Sequence, residues 1–86
     1  MSINSKITLY VNGTTRTGLV YIFGSFSLSN ETTIGTIPSE YTPKTMFVGT
    51  DFNAIYIPIR LNENNRNINA FANGNYNLHA TLVFAY

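Results

Sequence analysis

Cysteine is absent from this 86-residue chain, so no disulfide can staple the fold. A domain of this length buries only about 60% of the surface its unfolded chain exposes, and without disulfides or partners it is marginally stable. Charge is scarce as well: Asp, Glu, Lys and Arg make up 10% of residues, and the net charge of +1 offers no field that would gather nucleic acid or an anionic membrane. No run approaches the ~20 apolar residues of a membrane-spanning helix. The N-terminal stretch MSINSKITLY lacks the basic region and apolar core of a signal peptide, so export by that route is not indicated. Absence of cysteine fits synthesis in a reducing cytoplasm followed by exposure outside it.

The missing side chains also remove most catalytic chemistry. His79 is the only histidine, and with no cysteine it cannot assemble the usual clustered metal site. Ser-His-Asp chemistry would need His79 between a serine and Asp51, and no Gly-x-Ser-x-Gly turn is present. A glycosidase carboxylate pair would have to come from Glu31, Glu40, Asp51 and Glu63, all at expected turns or strand ends where solvated acids are ordinary. The expectation is a non-enzymatic chain without catalytic residues, bound metal or cofactor. Helix signals are missing too: no capping box leads into a 3.6-residue apolar pattern.

What remains is alternation with period two. Ile7, Leu9 and Val11 alternate with Thr8 and Tyr10, and Asn12-Gly13 supplies a favoured hairpin pair, with residues up to Gly18 available to lengthen the loop. A second pair, Asn73-Gly74, separates INAFA from YNLHATLVFAY and is read as another hairpin turn. Strands are expected near residues 6–11, 18–28, 32–37, 45–50, 53–61, 68–72 and 76–86. So many short strands punctuated by turns predict one all-β domain over 1–86, a small antiparallel β-barrel or sandwich of about seven strands. Asparagine is concentrated between Asn62 and Asn77, which suits either a surface that meets sugars and proteins or simply many turns. Asn12-Gly13-Thr14 and Asn30-Glu31-Thr32 match a glycosylation pattern and, without a signal peptide, are read as turns.

Two strands are apolar on both faces. Val20, Ile22, Phe26 and Leu28 share one face of their strand, while Leu19, Tyr21 and Phe23 open the other. In the last strand Tyr76, Leu78, Ala80, Leu82, Phe84 and Tyr86 share a face, and Val83 and Ala85 close the opposite one. A half-solvated strand alternates cleanly, so Tyr21, Phe23, Val83 and Ala85 require cover, either from a loop of the same chain or from an oligomer interface. His79 lies on that second face, as a solvated strand residue or a pH-sensitive contact.

The stretch Thr33 to Pro43, TIGTIPSEYTP, carries the most specific pattern. Pro38 and Pro43 fix their own φ and push Ile37 and Thr42 toward extended conformations, leaving Ser39, Glu40 and Tyr41 to form an exposed turn whose aromatic can pack back on the body. Together with Gly24 before it and DFNAIYIPI (Asp51 to Ile59) after it, this order resembles the C-terminal head domains of receptor-binding and baseplate proteins of tailed bacteriophages, those of lactococcal-type siphophages in particular. The likeness spans roughly Val20 to Ile59. The resemblance implies a homotrimeric β-barrel head at a virion's tail tip or baseplate, made in the host cytoplasm, that binds cell-wall saccharide of a Gram-positive host and contacts other tail proteins.

The residues themselves favour the same region for binding. With Ile55, Ile57 and Ile59 pointing inward, Tyr56, Pro58 and Arg60 line an outer face, with Phe52 and Asn53 at its start. Aromatic rings take the C–H faces of sugars, and amides and guanidinium take their hydroxyls, so Phe52, Asn53, Tyr56 and Arg60 form the expected saccharide site. Aligned on Asn53-Ala54, Phe52 stands where the resembled family carries a Trp, Tyr56 where it carries a His and Pro58 where it carries an Asp. These changes leave open a structural baseplate or tail-fibre domain that mediates assembly without a sugar site. A bacterial carbohydrate-binding module or adhesin domain is a further alternative.

Overall fold

The computed structural model describes residues 1–50 and 57–86, with the side chains of Phe47, Val48 and Thr50 outside that description. Among the described residues eight strands run in chain order: β1 (Ser2–Asn4), β2 (Ile7–Asn12), β3 (Thr17–Leu28), β4 (Glu31–Thr36), β5 (Phe47–Thr50), β6 (Pro58–Leu61), β7 (Asn67–Phe71) and β8 (Gly74–Ala85). They form two antiparallel sheets of four, ordered β1-β2-β3-β8 and β4-β7-β6-β5. The all-β expectation holds, and the two described sheets pack as a sandwich, not as a closed barrel. The short β1, paired to β2 beside a bulge, was not anticipated by alternation because three residues carry too little pattern.

Alternation decides what is inside. Ile7 and Leu9 of β2, Val20, Ile22 and Leu28 of β3, and Leu78, Ala80, Leu82 and Phe84 of β8 face Ile34, Ile59, Leu61, Ile68 and Ala70 of the second sheet in one core. Each fully buried aliphatic side chain contributes roughly 1.5–3 kcal/mol relative to exposure. Ile57 is buried as expected, whereas Ile55 lies outside the described residues. A β-bulge in β4 between Thr33 and Gly35 shifts its register against β7.

Asn12-Gly13 closes the expected hairpin between β2 and β3, with the loop lengthened, whereas Asn73-Gly74 departs from the sequence expectation. Asn12-Gly13 opens a four-residue loop in which Asn12 Oδ1 accepts the N–H groups of Thr14 (3.0 Å) and Thr15 (3.2 Å), and the left-handed residue is Arg16 at φ 52°. The lengthened loop holds because Tyr86 closes it: its N–H donates to Arg16 O (3.0 Å), Arg16 Nε donates to Tyr86 O (3.2 Å), and the guanidinium lies over the Tyr86 ring. Asn73-Gly74 does not close a hairpin at all. β7 pairs with β4 and β6 while β8 pairs with β3, so Gly74, at φ 122°, turns the chain from one sheet into the other. Sequence alone could not tell a hairpin from a crossover, since both need the same turn chemistry.

The segment between the prolines folds as expected. Ser39–Tyr41 form one 3-10 turn, Ile37 is fully buried, and Tyr41 packs back on the core with its ring edge-on to Tyr86 at 5.2 Å. Lys44 N–H then donates to Ala85 O (2.9 Å), tying the segment to the end of β8.

Gly18 sits opposite Phe84 across the β3–β8 ladder, and a Cβ built there would lie 2.3 Å from the ring's Cζ. The ring therefore occupies the space a side chain would need. Gly18→Ala is expected to cost about 1–3 kcal/mol through overpacking, measured by urea unfolding. Gly13, where an added Cβ meets nothing within 4 Å, is expected to accept alanine without loss.

Candidate binding surfaces

Two outward faces carry the candidate residues, one on each sheet. On the first sheet, the odd positions of β3 and β8 point away from the core, so Leu19, Tyr21 and Phe23 lie beside Val83, Thr81 and His79 in register, with Tyr10 of β2 opposite Leu19. Phe23 is 59% exposed, Tyr10 58% and Val83 48%, and Ala85 is also exposed. The four residues read as an interface, Tyr21, Phe23, Val83 and Ala85, thus share one outer face. Among the described residues no loop buries Phe23 or Val83.

The aromatic end of this face is built, not loose. The Tyr21 and Phe23 rings stack at 6.2 Å and 9°, and the His79 ring meets both edge-on, at 5.7 Å and 5.1 Å. Tyr21 Oη lies 3.5 Å from His79 Nε2. Beyond Phe23 the face turns polar: Ser25 Oγ donates to Asn77 Oδ1 at 2.5 Å, and a groove of about 310 Å³ runs beside Phe23, Ser25, Asn77 and His79. A second groove of about 330 Å³ opens at the aliphatic end along Tyr10, Leu19 and Val83. Leu19, Tyr10 and His79 complete a patch that hairpin register assembles; parity gave each face, but only pairing gave their adjacency.

The second sheet presents a different surface. Arg60 on β6 pairs in register with Asn69 on β7, which in turn pairs with Thr33 on β4. Arg60 Nη2 donates to Glu31 Oε2 at 2.8 Å, Asn69 Nδ2 donates to the same oxygen, and Thr33 Oγ1 donates to Asn69 Oδ1 at 3.4 Å. The guanidinium lies 5.0 Å from the centre of the Phe71 ring. Glu31 and Phe71 thus hold the guanidinium over an aromatic ring, with Asn69, at 8% exposure, a buried amide bonded to the same carboxylate. Among the described residues Arg60 Nε is buried without a hydrogen-bond partner, a desolvation that costs about 1–3 kcal/mol.

Of the expected saccharide residues, Arg60 stands in this cluster, while Phe52, Asn53 and Tyr56 lie outside the described residues. Arg60 lies on the second sheet and the Tyr21–Phe23 patch on the first, so the two candidate surfaces are separate. Asn69, Thr33 and Phe71 were not singled out from sequence, and Glu31 was named only as a solvated acid and a turn residue. Their parity was visible in Asn67–Phe71, but their meeting depends on the β4–β7–β6 register and its bulge. Among the described residues no group of three or more His, Asp or Glu gathers in a way that could hold a metal ion. Neither family models nor curated proteins nor solved structures give a match to this chain.

The Arg60–Glu31 pair is partly solvated, with side chains 30% and 43% exposed, so its own share of stability is small. Glu31→Gln is expected to change the unfolding free energy by less than about 1 kcal/mol, checked by chemical denaturation.

Proposed function

We propose that this chain is a non-enzymatic recognition domain that binds saccharide through the outer face of its second sheet, centred on Arg60. The Arg60–Glu31–Asn69–Phe71 cluster carries this reading: a guanidinium fork, a carboxylate and an amide stand beside an aromatic ring, the groups that take sugar hydroxyls and sugar C–H faces. An orphaned Nε adds a donor that an acceptor on a ligand could satisfy after local rearrangement. Phe52, Asn53 and Tyr56 join the site on chemistry alone. The Ile37–Pro43 turn and the strands around it supply the likeness to phage tail heads, and in that setting the ligand is host cell-wall saccharide, the host Gram-positive, and the location the virion's tail tip or baseplate.

A structural baseplate or tail-fibre role is the second reading. It is favoured by the uncharged aromatic face of the first sheet, which suits protein partners better than a solvated glycan.

Binding of purified Gram-positive cell-wall polysaccharide, followed by calorimetry, separates the two. Arg60→Ala is expected to weaken binding at least about tenfold, and Arg60→Lys, which keeps charge but loses the planar fork, to recover only part of it. Full binding by Arg60→Ala removes the cluster from the site. No binding by the unaltered protein moves the weight to the structural role.

A further inference from the structure

We infer that the outer face of the first sheet is covered by the same face of a second copy of this chain, in a twofold contact centred on the Tyr21–Thr81 row. Four observations carry it. First, the outward positions of β2, β3 and β8 hold no Asp, Glu, Lys or Arg, so two such faces approach without desolvating a formal charge or setting like charges against each other. Strand positions without charge also offer no complementarity to a basic or acidic partner; the Lys6 ammonium, bonded to Ser25 O, stands at the border.

Second, the face has the anatomy of an interface core with a rim. Tyr10, Leu19, Tyr21, Phe23 and Val83 form the apolar centre, bordered by Thr8, Ser25, Asn77 and Thr81. The stacked Tyr21 and Phe23 rings, held edge-on by His79, are already ordered, so docking them costs little side-chain entropy.

Third, the size fits. The molecule measures 38 × 21 × 19 Å, so one broad face spans on the order of 700–800 Å², about what each partner contributes to a standard specific interface.

Fourth, the two ends of the patch complement each other. A twofold axis through the Tyr21–Thr81 row sets the Phe23–His79 end of one copy over the Tyr10–Leu19–Val83 end of its partner, rings on aliphatic groups, in the manner of two sheets packed about 10 Å apart. A ring of three needs two different complementary surfaces on each chain, and the outer face of the second sheet is polar and carries the Arg60–Glu31 pair. The twofold arrangement uses the apolar face alone. It therefore departs from the threefold assembly that the phage-head resemblance implies.

The test is the mass in solution by light scattering across a dilution series, with Phe23→Asp and Val83→Arg as charged variants at exposed positions. Circular dichroism checks that both variants keep the strand spectrum. Twice the chain mass is expected for the unaltered protein, with the dissociation midpoint raised at least about tenfold by either variant. Because the chain has no cysteine, Thr81→Cys provides a second readout. A short bis-maleimide is expected to link Thr81→Cys chains in pairs and to leave Ser27→Cys chains unlinked, since six residues of strand place the two Ser27 positions roughly 40 Å apart. A single-chain mass at every concentration overturns the inference and leaves the face for an unlike protein. Three times the chain mass overturns the twofold form. Saccharide binding is read separately, so failure of either proposal does not imply failure of the other.

Discussion

The structure depends on the twelve-residue antiparallel ladder between β3 and β8, which runs without a break from Thr17 opposite Ala85 to Leu28 opposite Gly74. Because successive side chains alternate, this one register sorts two strands into an inner set and an outer set. A slip of β8 by one residue against β3 would bring His79 and Val83 inward and turn Ala80 and Leu82 to water, while Val20 and Ile22 stayed inside. The Gly18–Phe84 contact fits only the observed register, where the ring fills the space over a residue without a side chain. Core and presented surface are therefore two consequences of the same pairing.

Around that ladder, a chain poor in charge and lacking disulfides secures its connections with amides. Asn62 Oδ1 accepts the N–H groups of Asn64 and Asn65, Asn65 Oδ1 accepts that of Asn67, and Asn73 Oδ1 accepts that of Asn30. Asn4 Nδ2 donates to Ile34 O and so bridges the two sheets. These contacts satisfy turn backbone that would otherwise compete for water, without the desolvation cost of charges. The asparagine richness is thus largely turn chemistry. Asn69 and Asn77 differ, since they stand on strand faces with side-chain partners. The C-terminal Tyr86 serves the same end from another direction, clamped between Arg16 and Tyr41 where the hairpin loop, the proline segment and β8 meet.

Most of the strands were legible because period-two alternation is strong in long segments such as residues 17–28 and 74–85. The proline-bounded turn was legible because Pro38 and Pro43 restrict backbone directly. Sheet membership was not, and Asn73-Gly74 shows why: a turn residue fixes local direction, whereas the partner of the next strand is set by core packing many residues away. The same limit governs the candidate surfaces. Tyr21, Phe23, Val83 and Ala85 could be placed on one side from parity within two strands. Arg60 could be placed outward, but its contacts with Glu31, Asn69 and Phe71 come from three strands whose register includes a bulge.

The sandwich therefore acts as a scaffold that displays one apolar, uncharged face and one polar face, on opposite sheets, and the β3–β8 ladder is what keeps them distinct. Residue-resolved amide hydrogen exchange tests that claim most directly. β3, paired with β2 on one side and β8 on the other, is predicted to hold the slowest amides, opening only with global unfolding, while the short edge strand β1 exchanges faster. Exchange of the β3 amides as fast as those of β1 would contradict the ladder as the organising element, and with it the division of Tyr21 and Phe23 from Val20 and Ile22 on which both surfaces rest.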